Sequence, residues 1–237
     1  MERPISIAAK ATHTATVIFL HGLGDSGRGW IPAVADWVRG KKLDHVKWVL
    51  PHAPHVPITA FQGMPVPGWF DIHALNGGIE GFRARQDEPG LLRTRDYVNS
   101  LIKAEVDAGI PANRIILGGF SQGGAIALLA GLTAKVKLGG VLGLSTWLPI
   151  DSKFSSLVQE SDLNHETLVY MAHGMEDRVV PTVLGQMSYE LLKKQNFTVT
   201  MSLFPFMEHS TCPDEFVEVE NFLQSCLPVQ EEKKSEL

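Results

Sequence analysis

Short apolar runs alternate with amphipathic segments along most of this chain. The runs have the length of strands and are bounded by glycine, proline or polar residues, at 15–20, 46–50, 114–117, 140–144, 168–172 and 198–204. Apolar residues recur at three- and four-residue spacing in the segments between them, which predicts helices at 30–39, 90–108, 122–134, 183–194 and 214–227. This alternation predicts an α/β fold, with a mainly parallel central sheet and helices on both of its faces.

Residues 51–89 depart from this alternation. The segment contains many prolines and scattered aromatic residues but little periodicity, and it is longer than the usual connection inside a compact domain. Because long connections of this kind often contribute to binding sites, we expect a substrate-binding excursion from the sheet here. A chain of 237 residues is suited to one α/β domain, so we predict a single domain over 1–230 and a disordered charged tail over 231–237.

The composition is that of an ordinary globular protein. Charged residues make up 20% of the chain and the net charge is -5, so nucleic acid is not expected as a partner. No run approaches the roughly 18–20 apolar residues of a membrane span, and the first residues lack the apolar centre of a secretory signal. We expect Cys212 and Cys226 to be reduced thiols. This favours a cytoplasmic location, with entry into the nucleus by diffusion.

The pentapeptide Gly-Phe-Ser-Gln-Gly at 119–123 lies between a predicted strand and a predicted helix. Small residues two positions before and two after a serine are typical of a nucleophile elbow, because the tight turn leaves no room for larger side chains. An ordinary glycine-rich turn is the alternative for the pentapeptide taken alone. Its strand, turn and helix context nominates Ser121 as a catalytic nucleophile.

A serine nucleophile of this kind works with an acid and a histidine, which follow it along the chain in that order. His209 is the one histidine in the sequence after residue 177, and a short loop joins it to a predicted strand. Among the acids before it, Asp177 fits best because it comes shortly after the strand at 168–172, and Glu176 is the alternative. The acid would fix the tautomer of the imidazole, which would take the proton from Ser121.

Two backbone amides are also required to stabilise the oxyanion that forms during acyl transfer. Gln122, the residue after the nucleophile, supplies one of them, and we choose Leu23 in the glycine-rich loop at 21–27 for the other. This loop has neither the spacing of a dinucleotide site nor the Lys-Ser/Thr pair of a phosphate loop. The histidines and carboxylates also lack the spacing of metal ligands, so we expect no metal and no cofactor.

Several motifs make the chain resemble the acyl-protein thioesterases, also called lysophospholipase-like carboxylesterases. The resemblance covers about residues 12 to 228 and is carried by His21-Gly-Leu-Gly-Asp, Pro51-His-Ala-Pro54, Gly68-Trp-Phe-Asp71, the segment 110–124, Trp147-Leu-Pro149 and the segment 177–181. It implies an α/β-hydrolase fold, with the triad and the two oxyanion donors chosen above. It also implies hydrolysis of S-palmitoyl thioesters on cytosolic proteins through an acyl-enzyme intermediate. Lysophospholipase or general carboxylesterase activity on long-chain acyl esters is the alternative.

Apolar residues of the excursion, and of the segment after the strand at 140–144, are candidates for an acyl-binding channel beside the serine. The residues we expect to line it are Trp69, Phe70, Leu75, Trp147 and Leu148. For each of them, packing onto the core is the alternative. The expected partners are S-acylated proteins or long-chain acyl esters, together with transient contact with a membrane surface. We expect the protein to be a monomer or a weak homodimer.

Overall fold

A mainly parallel sheet forms the centre of the computed structural model, which describes residues 2–74, 78–159 and 163–230. Within these ranges the sheet has seven strands in the order β1-β3-β2-β6-β7-β8-β9. They are β1 (Ile5–Ile7), β2 (Ala15–Leu20), β3 (Val46–Leu50), β6 (Ile115–Phe120), β7 (Gly140–Leu144), β8 (Val169–Gly174) and β9 (Val199–Phe204). Strand β1 pairs antiparallel with β3, and the other neighbouring pairs are parallel. A separate antiparallel pair, β4 (His55–Ile58) and β5 (Met64–Pro67), lies in the excursion.

Helices cover both faces of this sheet. Buried side chains of α3 (Glu88–Asp107), α4 (Gln122–Leu132), α5 (Asp151–Gln159) and α6 (Thr182–Lys194) join one hydrophobic cluster, as does Phe82 of α2 (Gly78–Ala84). Those of α1 (Ile31–Trp37) and α7 (Pro213–Cys226) join a second cluster. Alternate residues of β2 belong to the two clusters, so the clusters lie on opposite faces of the sheet. No helix in the described ranges combines the length and the apolar character needed to cross a membrane.

The predicted α/β fold is confirmed, and each predicted strand and helix is present with its ends shifted by at most three residues. Among the described residues, five strands and α-helices were not predicted: β1, β4, β5, α2 and α5. The β4–β5 pair contains prolines at 57, 65 and 67, which weaken the strand signal because proline cannot donate a backbone hydrogen bond. The predicted tail at 231–237 lies outside the described residues.

A carboxyl group is fully buried near the start of α7. Glu215 has no exposed surface, and its oxygens accept no hydrogen bond from another side chain among the described residues. Burial raises the pKa of this carboxyl to about 8; a hydrogen bond from the backbone amide of Cys212 opposes the shift, and the charge of Glu218 adds to it. The folded protein therefore holds Glu215 in its neutral form at neutral pH.

Replacement of Glu215 by glutamine is expected to flatten the pH dependence of stability. The folded carboxyl keeps its proton up to a pH of about 8, whereas an unfolded chain loses it near a pH of about 4.3. Between these values the folded state binds more protons, so the free energy of unfolding falls by about 1.4 kcal/mol for each unit of rising pH. Thermal unfolding followed from pH 5 to pH 8 checks this. An equally steep decline in the Glu215→Gln protein would mean that another group causes it.

Candidate active site

Ser121 occupies a strained turn between β6 and α4. Its backbone φ is 54° and its ψ is -121°, a conformation that L-residues rarely adopt. Gly119 and Gly123 make the turn possible. A Cβ at Gly119 would lie 2.4 Å from the carbonyl carbon of Gly123, and a Cβ at Gly123 would lie 2.3 Å from the carbonyl oxygen of Leu20. The steric reason predicted for the glycine pattern is thus confirmed, and the hydroxyl of Thr146 holds the turn by donating to the carbonyl of Ser121 at 2.7 Å.

The imidazole of His209 bridges the serine and the predicted acid. Its Nε2 lies 3.0 Å from Ser121 Oγ, and its Nδ1 lies 2.7 Å from Asp177 Oδ2. Because an ionised carboxylate only accepts hydrogen bonds, Nδ1 carries the proton and Nε2 is left to accept one from the serine. The ring is partly buried and contacts the ring of Phe120, with 4.8 Å between the centroids. The structure therefore brings together three residues that are far apart in the sequence.

The carboxylate of Asp177 is buried and fully occupied by donors. Its Oδ1 accepts from the backbone amides of Val179 and Val180 at 2.9 Å each. Burial opposes ionisation of this carboxyl, but hydrogen bonds from His173 and His209 outweigh that effect. Together they hold the pKa of Asp177 well below its usual range, so the group is an anion at neutral pH.

His173 is a second histidine beside Asp177, and it was not among the predicted site residues. It is fully buried in β8, with Nε2 2.9 Å from the carbonyl oxygen of Val180 and 3.3 Å from Asp177 Oδ2. Both neighbours are acceptors, so Nε2 carries the proton, and Nδ1 has no partner among the residues described. Gly185 leaves room for the ring, since a Cβ there would lie 2.5 Å from Nδ1. The available sequence signal was a histidine directly after the apolar strand predicted at 168–172.

Backbone hydrogen bonds join the loop after β8 to the loop after β9. The amide of Met175 donates to the carbonyl of Phe204, and the amide of Glu176 donates to the carbonyl of Met207, each at 3.0 Å. Gly174 permits this approach, since a Cβ there would lie 2.1 Å from the carbonyl oxygen of Met207. Glu176, the alternative acid, is exposed, whereas the next residue along the chain is buried against the imidazole. The two loops therefore hold the acid and the base as one unit.

The loop after β2 is fixed by His21, which is fully buried. Burial lowers the pKa of this imidazole, so the ring is neutral. Its Nε2 accepts from the amide of Ala53 at 3.1 Å, which leaves the proton on Nδ1 to be donated to the carbonyl of Gly22 at 2.7 Å. The indole of Trp69 donates to the carbonyl of His21 at 2.8 Å. Leu23, the predicted oxyanion donor, follows this braced segment and lines the same cleft as the serine.

Gln122 connects the nucleophile to the excursion. It is the first residue of α4, where a backbone amide has no carbonyl partner within its own helix. Its side-chain Oε1 accepts from the amide of Trp69 at 2.8 Å, and its Nε2 donates to the carbonyl of Phe70 at 2.7 Å. The hydroxyl of Thr94 donates to the carbonyl of Trp69. This brace leaves no local pattern in the sequence, because it joins residues 53 positions apart.

An open cleft of about 570 Å³ surrounds the serine and the histidine, a volume in the range of small-molecule sites. It lies at the carboxyl ends of β2, β6, β8 and β9, where loops of a parallel sheet converge. Its lining includes aromatic and apolar residues that were not among the predicted site residues: Trp30, Phe82, Phe120, Val179, Val180 and Phe216.

The residues predicted for an acyl channel lie in different places. Trp147 lines the cleft. Trp69 and Phe70 are 1% and 4% exposed and pack into the core instead, because their backbone is tied down beside α4. Leu148 faces a separate cavity of about 190 Å³. Leu75 lies outside the described residues. Of the four described residues, Trp147 therefore lines the cleft, whereas Trp69 and Phe70 pack into the core and Leu148 borders the neighbouring cavity.

Comparisons with known proteins agree over nearly the whole chain. Residues 2–227 match the phospholipase/carboxylesterase family. A protein of Neurospora crassa named acyl-protein thioesterase 1 is 50% identical over 237 residues, covering 99% of this chain and 97% of that protein. A protein of Gibberella zeae with the same name is 49% identical, covering 95% and 96%. The crystal structure of Zea mays acyl-protein thioesterase 2 superimposes with a TM-score of 0.83 at 30% identity, covering 96% of this chain and 100% of that one.

Proposed function

Because the chain belongs to the phospholipase/carboxylesterase family and, within it, to the acyl-protein thioesterases, we propose that it releases long-chain acyl groups from protein cysteines through a Ser121-His209-Asp177 triad. The chain is a hydrolase with the α/β-hydrolase fold. The preferred group in this proposal is palmitoyl. The observation that carries the proposal is the continuous hydrogen-bonded path from Ser121 Oγ through the imidazole to the buried carboxylate, beside a cleft with apolar side chains in its lining.

The first half-reaction transfers the acyl group to the enzyme. His209 Nε2 accepts the proton of the Ser121 hydroxyl while Oγ bonds to the carbonyl carbon of the thioester. The negative charge that develops on the carbonyl oxygen is stabilised by the backbone amides of Leu23 and Gln122. The carbon–sulfur bond then breaks, the imidazolium returns its proton to the sulfur, and the thiol leaves behind an ester on Ser121.

The second half-reaction releases the fatty acid. Water attacks the acyl-serine carbonyl, giving one proton to His209 Nε2, and the same two amides stabilise the oxyanion. The imidazolium returns the proton to Ser121 Oγ as the ester bond breaks, so the enzyme is restored and a carboxylic acid is formed. Asp177 stabilises the imidazolium in both steps, and His173 and the two loop amides hold the carboxylate in place.

Apolar side chains on one side of the cleft suit a hydrocarbon chain. This apolar arm is lined by Phe61, Ile72, Phe82 and Trp147. At about 0.8 kcal/mol for each buried methylene, a palmitoyl chain would contribute at most roughly 10 kcal/mol. We therefore propose that the site favours long acyl chains over short ones. Since Phe61 and Ile72 belong to residues 51–89, we also propose that this segment is the substrate-binding excursion of a single domain over 1–230.

A lysophospholipase or general carboxylesterase activity is the second candidate, because the family that matches the chain is named for phospholipases as well as carboxylesterases. The charges of the cleft favour the thioesterase. Asp25 and Asp36 lie among its described lining residues, and no lysine or arginine does. Asp36 is paired with Arg39, which lies outside the cleft lining, so a lipid phosphate would meet the uncompensated charge of Asp25 with no cation of the cleft beside it.

Activity on a palmitoylated cysteine peptide is expected to exceed activity on a lysophospholipid with the same acyl chain by roughly tenfold or more in kcat/KM. Two effects act in this direction. The thiolate needs less protonation when it leaves than the alkoxide of an oxygen ester does. A repulsion of about 1.4 kcal/mol between the lipid phosphate and a carboxylate of the cleft would by itself lower kcat/KM tenfold. Initial rates on both substrates, presented in the same detergent, give the comparison. A higher kcat/KM on the lysophospholipid would favour the second candidate.

We propose that the substrates are S-acylated proteins, met during transient contact with a membrane surface, and that the enzyme acts in the cytoplasm as a monomer or weak homodimer. Sedimentation velocity measures the oligomeric state, and cell fractionation measures the location. A stable dimer or a permanently membrane-bound pool would contradict this part of the proposal.

A further inference from the structure

The cleft around Ser121 has two arms that differ in chemistry. Ile72, Phe82 and Trp147 of the apolar arm described above belong to the hydrophobic cluster formed with α3 to α6. The second arm, here called the polar arm, lies on the other face of the sheet, where Trp30 and Phe216 pack with α1 and α7. Pro32 and Ala33 also line it, and its polar lining residues are Asp25, Asp36, Ser210 and Thr211. The cleft therefore straddles the edge of the sheet, with the serine between the arms.

The polar arm continues into a surface groove between α1 and α7. Asp36, Thr211 and Phe216 line both the cleft and the adjoining groove, which has a volume of about 630 Å³. The other described residues that line the groove are Trp37, Arg39, Gly40, Cys212, Pro213, Val217 and Glu220. An open path thus leads from the catalytic histidine along the outside of α7.

The chemistry of the reaction assigns the leaving group to this path. His209 Nε2 returns its proton to the sulfur, so the sulfur and the chain bonded to it lie on the side of the imidazole. Ser210 and Thr211 follow His209 directly and line the polar arm. With the hydrocarbon in the apolar arm, the polypeptide that carries the cysteine is directed along the polar arm and into the groove.

The charges along this path favour a basic polypeptide. Its described lining residues include three carboxylates, Asp25, Asp36 and Glu220, against one cation, Arg39, which is paired with Asp36. Protein segments anchored by acyl chains commonly carry lysines and arginines, because one chain alone holds weakly to a membrane and the cytoplasmic leaflet is anionic. Complementary charge raises the rate of association and rejects partners of the wrong sign.

We propose that the groove between α1 and α7 binds the basic polypeptide segment that flanks the S-acyl cysteine, and that Asp36 and Glu220 select for it. This inference rests on the proposed function, since it takes the thioester carbonyl to be at Ser121. It assigns polypeptide specificity to a surface separate from the one that holds the hydrocarbon.

The test compares two peptide thioesters that carry the same octanoyl group on cysteine, one flanked by lysines and the other by glutamates. A small thioester without a peptide serves as the reference on every protein. In low salt the lysine peptide is expected to have a kcat/KM roughly tenfold above that of the glutamate peptide. Raising the ionic strength to about 1 M, where the screening length is about 3 Å, should bring the two values together.

The peptide ratio is the kcat/KM on the lysine peptide divided by the kcat/KM on the glutamate peptide, each first normalised to the rate on the small thioester. The Asp36→Asn/Glu220→Gln double variant is expected to lower this ratio by roughly threefold or more. The matched control is Asp107→Asn/Glu190→Gln, which removes the same charge from α3 and α6 on the other face of the sheet. Asp107 pairs with Lys103 within its helix, as Asp36 pairs with Arg39. The control should retain the wild-type ratio.

The outcomes separate the inference from the function it rests on. If the wild-type protein does not turn over the small thioester, the proposed function itself is wrong and the groove proposal falls with it. Turnover of the small thioester with a peptide ratio near one overturns the groove proposal alone. An equal loss of the ratio in both double variants also overturns it, because the effect would then belong to the net charge of the protein.

Discussion

Replacement of Ser121 by alanine is expected to lower kcat on an acyl thioester by a factor of about 10⁶. The hydroxyl is the group whose oxygen lies 3.0 Å from His209 Nε2, and without it no acyl-enzyme forms. The amides of the elbow and the cleft remain, so a small rate of direct attack by water is left. Single-turnover and steady-state kinetics on the same thioester measure the loss. Near-full activity in Ser121→Ala would contradict the proposed mechanism.

Labelling by a fluorophosphonate probe provides an independent measurement of the same residue. The wild-type protein should label and Ser121→Ala should not, because the probe reacts with an activated serine oxygen. Ser145 offers a matched control. Like Ser121 it follows a strand of the sheet and has a positive φ, here 46°, but it is fully buried. Ser145→Ala should therefore label as the wild type does, and circular dichroism checks that both variants are folded.

The candidate triad was accessible from the sequence because each member is marked by a local pattern. Glycines mark the elbow around Ser121 for a steric reason that the backbone contacts bear out. Asp177 and His209 were found from their places after predicted strands, and parallel strands bring such places to one edge of a sheet. The short apolar runs likewise predicted the core strands, since local hydrophobicity determines which segments are buried on both faces.

The lining of the cleft was not accessible in this way. Trp69 and Phe70 resemble channel residues in an irregular segment, but the direction of their side chains is determined by hydrogen bonds to Gln122, more than 50 positions away. Trp30, directly before α1, and Phe216 of α7 lie in segments whose apolar periodicity indicates burial without showing which cavity they border. The contact of His173 with the carboxylate depends on the strand register and on the loop after β8. Long-range packing of this kind leaves no pattern in neighbouring residues.

Replacement of Asp177 by asparagine is expected to lower kcat by a factor of about 10⁴. Oδ1 of the native carboxylate accepts two backbone amides, from Val179 and Val180, so the carbonyl oxygen of the asparagine would settle there. Its NH₂ group would then face the Nδ1 of His209, where Oδ2 now lies at 2.7 Å. A donor at that place removes the proton from Nδ1 and puts it on Nε2. The imidazole would be held in the tautomer that cannot accept the serine proton.

Glu176 supplies the control for this prediction, because it is the neighbouring acid that the sequence left as the alternative. It is exposed, so Glu176→Gln should keep nearly the wild-type kcat and the wild-type rate of fluorophosphonate labelling. The low pKa of Asp177 adds a second measurement, the pH dependence of activity. Because this carboxyl stays ionised well below the pH at which an aspartate usually takes up a proton, its protonation should cause no loss of activity between pH 8 and pH 5. A large loss in Glu176→Gln with little loss in Asp177→Asn would move the role of the acid to residue 176. Equal and small losses in both would mean that the imidazole is oriented by another group.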